Sequence, residues 1–372
     1  MRVLHVVADG DPGWAATAAL AVIDATPAAR GVRHALVTET ASPLAAAARA
    51  RGIPTATRAF QCRRRFGGLR PRLVETVWEM APDVVHAHGI QAAYAVLPAL
   101  RWLGLPMVLA MPAVAPPRGS WLVRIVRRFE RERALRGAAV LLFGTRAALS
   151  EARQSGVVQE GRRALVAPPP IDLGALPERR AGEPTLLLQG RIHADFPCSR
   201  VVAALAAAPD PTRLCVLGDG PGAVRLLQAL RDAGLAERVD WPGPLPRHEA
   251  LARLAAAAAV IDPRMGSGVP IGLIEAASVG VPVIAPSRTA LLEALGVDGI
   301  NPAAADSAWG DRVREVLAGK HAVPRAAVRD WITQAHAAEQ HLRAWEMAVA
   351  VTQAELSLGL RLRLRRPAGR AA

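Results

Sequence analysis

Lysine is almost missing from this chain: Lys320 is its only one, and all other basic side chains apart from histidine are arginine. Cysteine is scarce too. Cys62, Cys198 and Cys215 are odd in number and carry no CxxC spacing. That argues for a reducing compartment and against both a disulfide framework and a zinc site, and no metal-binding residue is read from the sequence. Aromatic residues make up 4% of the chain, with one tyrosine, so there is no stacking platform for nucleic-acid bases. No uninterrupted apolar run reaches the roughly 18 residues of a membrane-spanning helix. The apolar run in the opening MRVLHVVADGDPGW is too short for a signal-peptide core and reads as a buried first strand.

What is present is a globular composition, 51% hydrophobic and 21% charged over 372 residues, enough for two α/β domains with their own cores. The net charge of +14 attracts anions such as nucleotides or anionic lipid. Strand candidates RVLHVVA, HALVTE, DVVHAHG, PMVLAM and AAVLLFG alternate with helical stretches from residue 2 to 144. A proline-rich joint, VAPPPIDLGALPERRAGEP, follows at 166–184, and then the alternation restarts with TLLLQGR, RLCVLGDG, RVDWPG, AAVIDP and PVIAP. Such alternation builds parallel sheets covered by helices. Two sets with a joint predict two Rossmann-like lobes facing a cleft, with ligands beyond the carboxyl ends of the strands.

Three loops carry candidate chemistry. GDPGW, with Gly10 and Gly13, lies between the first strand and a helix, where backbone amides can face a phosphate or simply make a tight turn. GDGPGA at 218–223 satisfies a dinucleotide pattern but on a later strand than that fingerprint uses. The block DPRMGSGVPIGLIEAASVGVPVIAP at 262–286 is the most informative. Its strand end, glycine loop and helix bearing Glu275 can present backbone amides to a ligand and a carboxylate to a diol.

This block resembles the donor-binding signature of glycosyltransferase family 4: Gly268 matches its glycine, Glu275 its second glutamate, and residues 280–285 its closing turn and strand. PDVVHAHG, VAPPPIDL, LLLQGR and LCVLGDGPG resemble further family segments in the same order. The resemblance implies a GT-B fold: an acceptor-binding domain at 1–168, a nucleotide-sugar domain at 169–337, a helix at about 338–360 crossing back to the first domain, and a basic tail at 361–372. It implies a donor held by Gly10, Gly13, Arg191, Ser267, Gly268, Val269, Pro270 and Glu275. Glu275 would bind the ribose hydroxyls, and Arg191 would neutralise the diphosphate, with His88 and Arg191 as the catalytic pair. Transfer with retention, no metal or other cofactor, and a saccharide or lipid-linked acceptor are implied as well.

The chain departs from the pattern at several points. Ser267 replaces the first glutamate, Phe196 falls near the expected phosphate-binding lysine with His193 and Arg200 as substitutes, Pro112 takes the place of an N-lobe histidine, and Ser287-Arg288-Thr289 replace paired glycines. A non-catalytic homologue acting as a binding or scaffold protein is the alternative reading; a nicotinamide-dependent enzyme rests on GDGPGA alone. Finally, the segment 120–137 sets Trp121, Leu122, Ile125, Val126 and Phe129 on one helical face and Arg124, Arg127, Arg128 and Arg131 around the other. Such a helix either packs on the domain core or lies on anionic lipid. The expected location is the cytoplasm, with peripheral attachment to the inner membrane face in the second case.

Overall fold

The computed structural model describes residues 1–8, 14–26, 30–40, 42–60, 70–111, 120–171, 173–180, 184–264, 271–287, 289–295, 299–301, 303–321, 328 and 334–364. The first lobe runs β1 (Arg2–Val7), α1 (Trp14–Ala25), β2 (Arg33–Thr38), α2 (Pro43–Ala50), β3 (Thr55–Thr57), α3 (Arg70–Met80), β4 (Val84–His88) and α4 (Ile90–Leu103). It continues with β5 (Met107–Met111), α5 (Trp121–Gly137), β6 (Val140–Phe143), α6 (Arg146–Gln154) and β7 (Ala164–Val166). All seven strands are parallel, in the order β3-β2-β1-β4-β5-β6-β7. The interior strands β4, β5 and β6 are buried at every residue. Helices cover both faces of the sheet, which is why these strands read as unbroken apolar runs rather than alternating ones.

The second lobe repeats the plan with β8 (Thr185–Gln189), α7 (Cys198–Ala207), β9 (Arg213–Leu217), α8 (Ala223–Asp232), β10 (Val239–Asp240) and α9 (Arg247–Ala256). There follow β11 (Ala259–Ile261), α10 (Ile271–Val279), β12 (Val283–Ile284), α11 (Thr289–Leu295) and α12 (Ser307–Leu317). The order is β10-β9-β8-β11-β12, again parallel. In both sheets the order reverses once, between β1 and β4 in the first and between β8 and β11 in the second. A reversal leaves a crevice beyond the carboxyl ends of the two strands, because their crossover helices leave on opposite faces.

Helix α13 (Gln334–Leu364) returns to the first lobe. Its Ala344, Trp345 and Ala348 are buried against Val3, Val84, Val108 and Val140 of that sheet. Two strands escaped the sequence reading, β3 and β7. Each is three residues long at a sheet edge and only half buried, so neither leaves an apolar run to detect.

Helix α5 resolves the choice left open for residues 120–137. Residues 121–129 are exposed on every side, and the helix buries only Ala134 and Leu135 near its end. Six of its apolar side chains are solvent-facing, Trp121 at 67% and Ile125 at 56%. The apolar face is therefore not packed on the core. Among the described residues no helix is long and apolar enough to cross a membrane.

Candidate functional site

The crevice of the second lobe is built by three loop ends. The first follows β8: Gly190 and Arg191 turn out of the strand, with Gly190 in a left-handed conformation (φ 101°). This turn lies directly on the GDGPG loop that follows β9. A Cβ on Gly218 would come within 2.1 Å of the Gly190 carbonyl oxygen, one on Gly220 within 2.4 Å of Ile192 O, and one on Gly222 within 2.1 Å of His193 O. Backbone bonds from Gly190 N to Leu217 O, Ile192 N to Asp219 O and Gly222 N to Ile192 O, at 2.9–3.1 Å, fasten the two loops. The glycines of 218–222 thus form a saddle that fixes the loop bearing Arg191. Close backbone approach accounts for them without a dinucleotide. Arg191 and His193 are both exposed on that loop.

The second loop end follows β11. Asp262 is buried, and Arg264 Nε donates to its Oδ1 at 2.6 Å. Arg264 Nη2 also donates to the carbonyl of Gln189 at 3.0 Å. This guanidinium therefore ties the ends of β8 and β11 together across the reversal point. The third piece is α10, whose Glu275 is 5% exposed. Arg247 Nη2, from the start of α9, stands 2.6 Å from Glu275 Oε1. The contact is close but poorly directed, and Oε1 lacks a directed hydrogen bond among the described residues. Burial pushes the Glu275 carboxyl above its ordinary range while Arg247 pulls it back. The result is a sequestered carboxylate paired with Arg247, in a lobe whose neighbouring strand ends carry Arg191 and Arg264, which suits a ligand that is both a diol and a polyanion.

Of the residues read from sequence, the structure brings Arg191 and Glu275 to this crevice. Gly10, Gly13, Ser267, Gly268, Val269 and Pro270 lie outside the described residues, as do Pro112 and Arg288. Phe196 is 2% exposed and packs in the second-lobe core with Leu186, Val201 and Leu226; burial there explains why a charged residue is not found. Arg200 is committed to the lobe's own structure, stacked over Trp309 at 5.5 Å and 3.7 Å from Asp306. Arg247 and Arg264 were missed. Arg264 had a signal, being the first basic residue after the strand end in DPRMGSG; Arg247, far away in sequence, had none.

His88 lies in the first lobe. It ends β4 at the reversal point of the first sheet, 4% exposed, and lines a narrow cavity with Trp14, Ala110, Met111, Gly144 and His341. Its Nε2 lies 3.0 Å from His5 Nδ1. Burial, reinforced by His341, lowers the His88 pKa to about 3, so the ring is neutral at physiological pH.

A polar clamp joins the lobes. Glu293 of α11 accepts the backbone N–H groups of Arg146 and Ala147, each at 2.8 Å. These are orphan donors in the first turn of α6, where a negative charge is favoured. Trp14, Ala18 and Ala147 of the first lobe add apolar contacts with the second-lobe core.

Comparison with known proteins agrees with this architecture. Residues 15–169 match the family model described as glycosyl transferase 4-like domain, and residues 183–319 match the one described as glycosyl transferases group 1. Anabaena Alr3699/HepE, solved in complex with UDP-glucose, superposes with a TM-score of 0.71 at 18% identity, over 97% of this chain and 99% of that one. Sucrose-phosphate synthase from Thermosynechococcus elongatus gives 0.68 at 17% identity, over 98% and 100%. The apo lipopolysaccharide outer core galactosyltransferase WaaB gives 0.62 at 15% identity, over 92% and 99%. No curated protein matches the sequence.

Two parallel sheets with the same single reversal, joined by a returning C-terminal helix, define a GT-B protein. With both lobes matched by their respective models, the chain belongs to the group 1 glycosyltransferases, enzymes that transfer sugars.

Proposed function

We propose that the second-lobe crevice holds a nucleoside-diphosphate sugar and that the first lobe presents a saccharide or lipid-linked acceptor. The observation that carries this reading is the buried Glu275 carboxylate paired with Arg247 of α9, in the lobe whose β8 and β11 ends carry Arg191 and Arg264. A ribose diol donates to the carboxylate. The diphosphate meets the guanidinium of Arg191, whose bidentate fork fits phosphate oxygens. Charge building on the leaving diphosphate is then stabilised by arginine and backbone N–H groups, with no metal ion or other cofactor in the transfer. Retention of anomeric configuration is implied by the family 4 resemblance, and the relatives solved with UDP and UDP-glucose favour a donor of that class.

A second reading concerns place. The exposed apolar face of α5, with Arg124, Arg127, Arg128 and Arg131 around it, suits shallow insertion into an anionic membrane surface from the cytoplasmic side. A lipid-linked acceptor in polysaccharide or glycoconjugate biosynthesis follows from that placement.

The donor test is thermal shift of the purified chain with a panel of nucleoside diphosphates and nucleotide sugars. A ligand at 100 times its Kd stabilises by about 2.7 kcal/mol. One nucleotide sugar should raise the midpoint, and Arg191→Ala and Glu275→Ala should each abolish the rise. A panel without effect would leave the non-catalytic scaffold as the better reading.

A further inference from the structure

The first-lobe reversal point holds a cluster that the sugar-transfer reading does not use. His5 on β1 is the register partner of His86 on β4. His88, two residues further, shares the face of His86 because side chains alternate along a strand. All three rings are buried. Each offers one ring nitrogen such that the three lie within 4.8 Å of one another. Helix α13 closes the cluster from above, with the His341 ring centroid 5.7 Å from that of His86 and Trp345 edge-on to His5 at 6.1 Å.

Both nitrogens of His86 and Nδ1 of His88 have no hydrogen-bond partner among the described residues. Buried polar atoms left in this state are uncommon and point to a bound water or ion. His5 is already held as a metal ligand requires. His34 Nε2 donates to the Thr26 carbonyl at 2.8 Å, which leaves His34 Nδ1 as an acceptor. His5 Nε2 lies 3.0 Å from that atom and must donate to it. The His5 Nδ1 lone pair is therefore turned into the cluster, towards His88. A ligating imidazole anchored through its far N–H in this way is the usual outer-shell pattern.

We propose that His5, His86 and His88 bind one divalent transition-metal ion of the zinc type, as a structural tie between β1 and β4 beneath α13. Imidazole nitrogen suits Zn²⁺, Ni²⁺ and Cu²⁺ rather than Mg²⁺ or Ca²⁺. Ligands about 2.0–2.1 Å from a tetrahedral ion stand about 3.3 Å apart, between the 3.0 Å of the His5–His88 pair and the 4.8 Å limit of the set. Burial keeps all three rings neutral, so their lone pairs are available. On binding, the proton on His88 Nε2 shifts to Nδ1, and no net proton is released. A narrow cavity lined by His88 and His341 adjoins the cluster.

The test uses the untagged full-length chain, stripped by a chelator, then loaded with Zn²⁺ or Co²⁺ and desalted. We expect one metal per chain by atomic emission, a raised unfolding midpoint, and the visible absorption of tetrahedral nitrogen-ligated Co²⁺. His86→Gln and His88→Gln should weaken binding at least tenfold, while His248→Gln, at an exposed site of the second lobe, should leave it unchanged. If the cluster variants fail to fold, the Co²⁺ spectrum of the unaltered chain decides between a tetrahedral buried site and an octahedral surface one. No retained metal, an octahedral spectrum, or equal binding in all variants would overturn the assignment.

Discussion

The two sheets share one strand order, yet their reversal points carry opposite chemistry. At the first, between β1 and β4, four histidines and a tryptophan are packed out of solvent beside the half-buried His34, and burial lowers the pKa of all five imidazoles. At the second, between β8 and β11, the polar groups are ions: Arg264 with Asp262, and Arg247 with Glu275. Neutral rings under a helix suit a rigid floor. Half-exposed arginines around a buried carboxylate suit a polyanion that enters and leaves. On the function proposed above, the same topology serves as scaffold in one lobe and as receptor in the other, and the difference lies in which side chains gather at the reversal point.

Acid should separate the lobes most sharply. The His88 pKa is lowered to about 3 and that of His341 to about 4, chiefly by burial. Both rings are neutral in the fold but charge in the unfolded chain below about pH 6.5, so the unfolded state binds more protons and stability falls as pH drops. The loss begins near pH 6.5 and is complete near the folded values of 3 to 4. At pH 5 each histidine contributes on the order of 2 kcal/mol of destabilisation. Urea denaturation with a chelator present, at pH 7 and at pH 5, reads it, and hydrogen exchange should show the first lobe opening before the second. Equal stability at the two pH values would remove the contrast.

Next in size is the receptor side. Losing a charge-assisted contact to the donor is worth about 1.5–3 kcal/mol, or roughly ten- to a hundredfold in affinity or kcat/KM. Arg191→Ala and Glu275→Ala should each show this in donor titration and turnover, and Arg264→Ala should match them because it braces the loop end carrying Arg191. His88→Gln should leave donor affinity unchanged. If it weakened donor binding as much as Glu275→Ala does, the division of labour between the lobes would be wrong.

The clamp between the lobes ranks third. Glu293→Ala removes two bonds to backbone N–H groups together with the negative charge at the start of α6, about 1–2 kcal/mol. Small-angle scattering should report a more open average, and the donor KM should rise. An unchanged radius would show that the apolar contacts of Trp14 and Ala18 suffice.

Architecture was legible in the sequence because parallel strands covered on both faces are continuous apolar runs, as in VLHVV, VVHAH and MVLAM. β3 and β7, short and half exposed, had no such run. Arg191 and Glu275 could be read because each sits just after a strand or loop of distinctive pattern. The Arg247–Glu275 pair spans two helices, and the histidine cluster joins β1, β2, β4 and α13. Contacts made only by tertiary packing leave no local signal. The saddle of Gly218, Gly220 and Gly222 is the reverse case: its pattern was visible and its cause was not.

The smallest effect on folding should come from α5, and there the smallness is the point. Trp345 and Trp121 are chemically identical, but the first is fully buried and the second 67% exposed. Trp345→Ala should cost about 3–5 kcal/mol by opening the α13 contact. The double variant Trp121→Ser, Ile125→Ser should change stability by no more than about 0.5 kcal/mol, since it touches no packed surface. An exposed apolar face of this kind is the feature on which the membrane reading proposed above rests. Co-sedimentation with vesicles of anionic lipid should therefore be strong for the unaltered chain, weak in the double variant, and weak for both on neutral lipid. Arg124→Gln with Arg128→Gln should lose the lipid selectivity while retaining residual binding, because the apolar face persists. If the double variant were instead destabilised by several kcal/mol, the face would be packed against the protein, and the membrane reading would fall.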